Sequence, residues 1–153
     1  PLTNMNIILG KYFSIIIIIL FALLPTLVYV FTIKLLSSNN AIDSGGMIGS
    51  YIGLFLLSAA FSAIGLCCSS LTNNAVVAFL LSAFSCLLLY FGFNAISKLP
   101  VFVGKVDFYI EMLGIDFHYR SMSRGVIDSR DFIYFLSIMV LAMFITKNQL
   151  ARK

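Results

Sequence analysis

Four long apolar runs, each free of charge along its length, constrain this chain more than any other feature. They extend from Ile15 to Ile33, Met47 to Cys68, Ala75 to Ile96 and Phe132 to Thr146. A helix needs about 20 apolar residues to cross the roughly 30 Å hydrocarbon core of a bilayer, and the first three runs meet that demand. The fourth is shorter, but Lys147 can snorkel and let Leu150 extend the buried stretch. The consecutive isoleucines Ile15 to Ile19 would suit a strand in water. In lipid a lone strand leaves its backbone unpaired, whereas a helix satisfies it internally. The expected fold is therefore an all-α integral membrane protein with four transmembrane helices. The spans are placed at about 12–36, 47–71, 75–97 and 131–150, in one partial transmembrane domain covering 1–153. Pro25 lacks a backbone donor and is expected to kink the first span.

Composition excludes the soluble alternatives. Of 153 residues, 61% are hydrophobic and 10% charged, against roughly 45–50% and about 25% in soluble domains. A globule of this length cannot hide so much apolar surface from water, and disorder is excluded by the same numbers. The net charge of +4 comes from Lys and Arg scattered between apolar blocks, with no basic stripe for nucleic acid. Cys67, Cys68 and Cys86 lie inside apolar runs, and an odd number cannot complete a disulfide framework; they read as buried structural thiols. One His rules out a histidine-rich metal site, and no phosphate-cradling glycine loop is present. The opening run is too long for a signal sequence, and a start at Pro1 is expected of a chain cut from a longer one.

The connections differ in kind. A polar turn runs from Ser37 to Gly46, and Ser69 to Asn74 form a tight hairpin. Lys98 to Asp131 hold most of the charge. There Phe102, Val106, Ile110, Leu113 and Phe117 follow helical spacing, with Asp107, Glu111 and His118 opposite. An interfacial or re-entrant amphipathic segment over 98–130 is expected, its polar face wet. Gly104 and Gly114 should divide it in two, and Asp128 and Asp131 stand where caps of the last span belong.

The apolar runs contain no Asp, Glu, Lys, Arg or His, which argues against proton relays and intramembrane hydrolysis. His118 with Asp116 or Glu111 is the one conceivable acid–base set, and it reads as proximity in a wet loop. Small residues recur at four-residue spacing instead: Gly45, Gly49 and Gly53, then Ser58/Ser62, Ala59/Ala63 and Gly65/Ser69, then Ala78, Ser82 and Cys86. Such spacing lets helices approach closely. Gly49, Gly53, Ala59, Ala63, Ala78 and Ser82 are the helix-packing candidates, within one subunit or at a dimer seam. The second and third helices are expected to be buried in protein, and the first to face lipid.

An even number of spans puts both termini on one side. That side carries Lys11, Lys147, Arg152 and Lys153 without acids. The other carries Lys34, Lys98, Lys105, Arg120, Arg124 and Arg130 with all the acids. The orientation rule counts basic residues, and four against six points away from a cytoplasmic N-terminus, while their density near the short ends points weakly the other way, so charge alone leaves orientation open.

Several stretches carry a resemblance over nearly the whole chain. They are Pro1-Leu2-Thr3 with Ile7-Ile8-Leu9-Gly10-Lys11, Phe21 to Leu27, Gly49 to Phe55, Ala59-Ala60-Phe61 with Ala63 to Leu66, and Ser69 to Thr72. Glu111 to Asp116, Ser123 to Asp128 and Arg130-Asp131 complete them. Together they resemble the ABC-2-type permeases of ABC transporters, and within these the gliding-motility permease family of the Bacteroidetes. The resemblance implies six spans, of which this chain holds the third to the sixth. It also implies a multi-pass protein of the bacterial inner membrane, with N-terminus, hairpin and C-terminus in the cytoplasm and segment 98–130 outside. The implied function is the permease subunit of an ATP-driven exporter, linked to gliding motility and itself no enzyme. Its partners would be the lipid bilayer, a cytoplasmic ATPase carrying the ATP and Mg, and a second permease subunit, identical or not, with no cofactor in this chain. ATPase docking would fall to Pro1, Leu2, Thr3, Asn4, Ser70, Leu71, Thr72, Asn73 and Asn74, where the bland alternative is a plain helix turn. A non-transporting membrane anchor or assembly subunit is the leading rival, followed by a secondary carrier and a membrane enzyme.

Overall fold

The computed structural model describes residues 3–36, 43–102, 104 and 106–152. Pro1, Leu2, most of the polar turn at 37–46, Lys105 and Lys153 lie outside the described residues. Four helices are long and apolar enough to cross a membrane: α1 (Asn4–Leu36), α2 (Ser44–Leu71), α3 (Ala75–Ser97) and α6 (Ser129–Arg152). Two short helices, α4 (Asp107–Met112) and α5 (Ile115–Ser123), precede α6. The described residues contain helices and no strand.

Boundaries follow the local chemistry. The α1 helix begins at Asn4, not near residue 12, and Pro25 lies inside it without ending it. The Asp43 carboxylate accepts from the Gly46 amide at 3.0 Å and starts α2 ahead of its apolar run. Ser69, Ser70 and Leu71 are the last turn of α2, so the connection is only Thr72 to Asn74, shorter than the Ser69–Asn74 hairpin and equal to the gap between the expected spans. Asn74 caps α3, its Oδ1 accepting from the amides of Val76 (2.9 Å) and Val77 (3.4 Å). A π turn at Leu88–Gly92 interrupts α3 near its end. At its 24 residues, α6 extends about 36 Å at 1.5 Å per residue, long enough despite its short apolar stretch.

Helix α2 is the centre, packing against α6, α3, α5 and α1. The Tyr12 hydroxyl donates to the Ala59 carbonyl at 3.1 Å and the Tyr51 hydroxyl to the Thr26 carbonyl at 3.0 Å, so α1 and α2 run antiparallel. The core joins Ala59, Ala60, Ala63 and Ala142 with Leu56, Phe135 and Met139. Large apolar side chains such as Phe21, Phe31, Phe79, Phe84, Val140 and Phe144 point outward. Small inside and large outside is the pattern of helices that associate by close approach in an apolar solvent. Only α2 is substantially enclosed. The most apolar stretches of α1 and α3 are each 0% buried, against 44% for α2. The expectation that α3 is buried is thus corrected: along its apolar length it packs on α2 alone, and only its last turns, around Asn94 and Ser97, are enclosed, against α4 and α5.

Helix α5 rests on the beginning of α2. A Cβ at Gly49 would lie 2.2 Å from the Met122 carbonyl oxygen, so only glycine fits there. Gly125 turns the chain out of α5 at φ +81° and touches the backbone of Gly45 and Gly46, where a Cβ would sit 2.9 Å away. That conformation suits glycine alone. The Ser50 hydroxyl donates to the Ser123 carbonyl across the same contact at 3.2 Å.

Candidate functional site

The bundle has two chemically different ends. At the end where α6 begins, the amphipathic segment is divided as expected, into two helices broken at Gly114, whose backbone is extended (φ −82°, ψ 142°). The break rotates α5 relative to α4, so a single helical count cannot be carried across it. His118 and Asp116 are therefore buried at 4% and 5% exposure, while Val106 and Leu113 of the expected apolar stripe are exposed.

His118 does not pair with Asp116 or Glu111. Its Nδ1 lies 2.6 Å from Asp131 Oδ1, and its Nε2–H donates to the Met112 carbonyl at 2.9 Å. Tyr134 stacks on the imidazole with ring centroids 3.8 Å apart and donates its hydroxyl to the Leu113 carbonyl at 2.6 Å. Two consecutive carbonyls at the end of α4, which no helical amide can reach, thereby gain side-chain donors. Asp131, expected as a cap, is instead 4% exposed in the first turn of α6, and its Oδ2 has no partner among the described residues. The cap is Asp128, whose Oδ1 accepts from the Arg130 amide at 3.1 Å. That bond, the Arg130 charge and the Ser129 hydroxyl hold the Asp128 carboxyl below its ordinary range.

A second cluster flanks α5. Arg120 grips Asp116 with two nitrogens, Nε to Oδ1 at 3.0 Å and Nη2 to Oδ2. This raises the already high pKa of the guanidinium, chiefly through that hydrogen bond. Asn94, just beyond the π turn of α3, donates its amide to Glu111 Oε1 and Asp116 Oδ2, each at 3.3 Å. π turns re-aim the side chains that follow them, and here Asn94 ties α3 to α4 and α5.

Chemically, the arrangement of the His118 pair is that of a clamp. Both ring nitrogens face acceptors, so the pair holds one proton between Nδ1 and Oδ1 while Nε2 is committed to a backbone carbonyl. No lone pair remains to take a proton from a substrate. Sequence reasoning missed Asp131 as its partner; the available signal was an acid placed in the first turn of a span, opposite the chain's one His.

At the other end the polar groups are few. Ile7, Ile8 and Lys11 of α1, Leu66, Ser69 and Ser70 of α2, and Thr146 and Leu150 of α6 line a shallow cavity of about 180 Å³. Ser70 back-bonds to the Cys67 carbonyl, Thr72 accepts from the Asn74 amide at 3.2 Å, and Leu71 is 47% exposed. Thr3 and Asn4 stand at the start of α1. Of the packing candidates, Gly49 and Gly53 meet Met122 and Tyr119 of α5, and Ala59 and Ala63 are in the core. Ala78 and Ser82 are on α3, outside that core, where Ser82 bonds back to the Phe79 carbonyl. Cys67, Cys68 and Cys86 are free thiols. Comparison of the chain with protein-family models, with curated proteins and with solved structures finds no match.

Proposed function

We propose that this chain is the membrane-spanning part of an ATP-driven ABC-2-type exporter of a bacterial inner membrane. In this reading a separate ATPase supplies the energy, a second permease subunit completes the path, and the chain itself performs no catalysis. The inverted packing, with alanines inside and phenylalanines outside, supports insertion in lipid. The observation that carries the functional reading is the convergence of three chain segments at one end of the bundle. The first turns of α1, the last turn of α2 and the last turns of α6 line a single cavity there. A partner docked on that cavity touches three spans at once, which is what a device that tilts helices requires. Lys11, Lys147 and Arg152 stand at this end with no acid among the described residues; its assignment to the cytoplasmic face comes from the resemblance, since the basic-residue count alone does not give it. A link to gliding motility follows only from the resemblance.

The rival reading, an anchor or assembly subunit, draws on the clamp at the opposite end, which builds a fixed platform. Substitution at the hairpin separates the two. Leu71→Asp with Asn74→Asp keeps a capping carboxylate at 74 and places charge on the exposed turn. For a transporter, expression is retained while the ATPase is released from membranes, or hydrolysis is uncoupled from transport. Unchanged ATPase binding and activity would reduce the segment to a plain turn.

A further inference from the structure

The clamp at the start of α6 borders a groove that the proposed function does not use. Tyr109, Met112 and Leu113 form one wall, Ile133 and Tyr134 the other, and Arg130 stands at the mouth. Its volume is about 560 Å³, within the range of clefts that hold small molecules. Tyr109, Leu113 and Ile133 are 69%, 59% and 65% exposed, so no described element covers the walls.

Its charge is one-sided. No carboxylate lines it. Asp131 is turned onto His118, and Asp128 accepts from the Arg130 amide and the Ser129 hydroxyl. The His118 nitrogens are occupied by Asp131 and Met112, so the ring offers no free donor to the groove. Among the described residues the Arg130 guanidinium makes no side-chain hydrogen bond; its charge is felt by the Asp128 carboxylate, which is not part of the lining, and Arg130 is the cation the groove presents.

Its depth matches a boundary. Arg130 is in the polar first turn of α6, and Ile133 is one turn further along, at the start of the apolar run. Two tyrosines line the same level, where amphipathic rings gather at membrane surfaces. An occupant therefore meets a cation at the water side and apolar walls below it.

We infer that this groove seats an anionic phospholipid, its phosphate on Arg130 and an acyl chain against Met112, Leu113 and Ile133. The inference rests on the membrane-spanning reading above. The seat is specific because α4 is pinned: the hydrogen bonds of His118 and Tyr134 to the end of α4 fix one wall against the other. A preformed groove spares the ligand the cost of ordering it.

The chain contains no tryptophan, so one introduced indole reports alone. Tyr109→Trp places it in the groove wall, and Phe144→Trp places a control on the outer face of α6. Each variant of the full chain is reconstituted in bilayers containing phosphatidylglycerol or phosphatidylcholine brominated on the acyl chain. At position 109, quenching against lipid fraction should show about a fivefold preference for phosphatidylglycerol, the effect of one cation near an anionic headgroup. Arg130→Gln should abolish the preference and Arg130→Lys keep it. Equal quenching by the two lipids, or a preference that survives Arg130→Gln, overturns the proposal. Quenching at 144 with none at 109 also overturns it, because protein then covers the groove. Absence of quenching at both positions removes the membrane reading itself, and the lipid site with it.

Discussion

At the end where α6 begins, His118, Asp131, Tyr134, Asn94, Asp116 and Arg120 form hydrogen bonds that join α3, α4, α5 and α6. At the end where α6 finishes, the long-range polar contacts thin out, and α2 and α3 are joined by a three-residue connection in which Thr72 and Asn74 bond to residues close in the chain. Both ends must satisfy helix termini, but they do so by different means. The first uses side chains distant in sequence, so each bond also fixes tertiary position. The second uses a capping Asn, which ends and starts helices without holding one element against another. In the exporter reading proposed above, the locally satisfied end is where a partner would move helices and the cross-linked end would be the pivot.

The largest test of this contrast is a pair of substitutions. Asp131→Ala leaves His118 buried without its acid, and breaking a buried pair costs about 3–5 kcal/mol. Asn74→Ala removes only a helix cap, worth about 1 kcal/mol. Thermal unfolding in detergent should rank them in that order. Equal losses would mean that the clamp is no more integral than the hairpin.

A smaller effect sharpens the same point within α2. Gly49→Leu forces a side chain into the Met122 carbonyl and should destabilise by about 1–3 kcal/mol, the usual cost of overpacking. Gly65, with nothing within 4 Å of where its Cβ would be, should accept Leu with unchanged melting. If both variants melt like the parent, α5 does not rest on α2 as described.

The smallest effect depends on pH. The folded Asp128 carboxyl lies below the ordinary 3.8, owing first to the Arg130 amide. Its stabilising contribution is therefore complete above the unfolded pKa and disappears as pH falls through the lower folded value. Melting of the parent should exceed that of Asp128→Asn at pH 6, and the difference should close below about pH 4. A difference that stays constant down to pH 2 would show that the carboxylate charge has no part in capping.

The four long apolar helices were legible because uncharged apolar runs of about 20 residues have few other solutions. The break at Gly114 and the cap at Asp128 were legible for a related reason, since both depend on residues adjacent in the chain. The burial of His118 was not. Helical periodicity assigned it to a wet face, and that count failed once the backbone turned at Gly114 and brought a different side of α5 onto α2. Nor did spacing show what the glycines of α2 contact. A four-residue repeat declares that something approaches closely, and Gly49 and Gly53 meet a short connecting helix.

What the sequence by itself determined is the number of helices long and apolar enough to cross a membrane, because that follows from the hydropathy of contiguous residues. Which polar groups meet was decided only by the tertiary structure. His118 and Asp131 are thirteen positions apart, with a helix end, a left-handed glycine and a cap between them. Each of those turns changes the direction of everything after it, and a hydrogen bond needs its partners within a few tenths of an ångström. No pattern along the chain carries that information, and the clamp exists only where the helices have already packed.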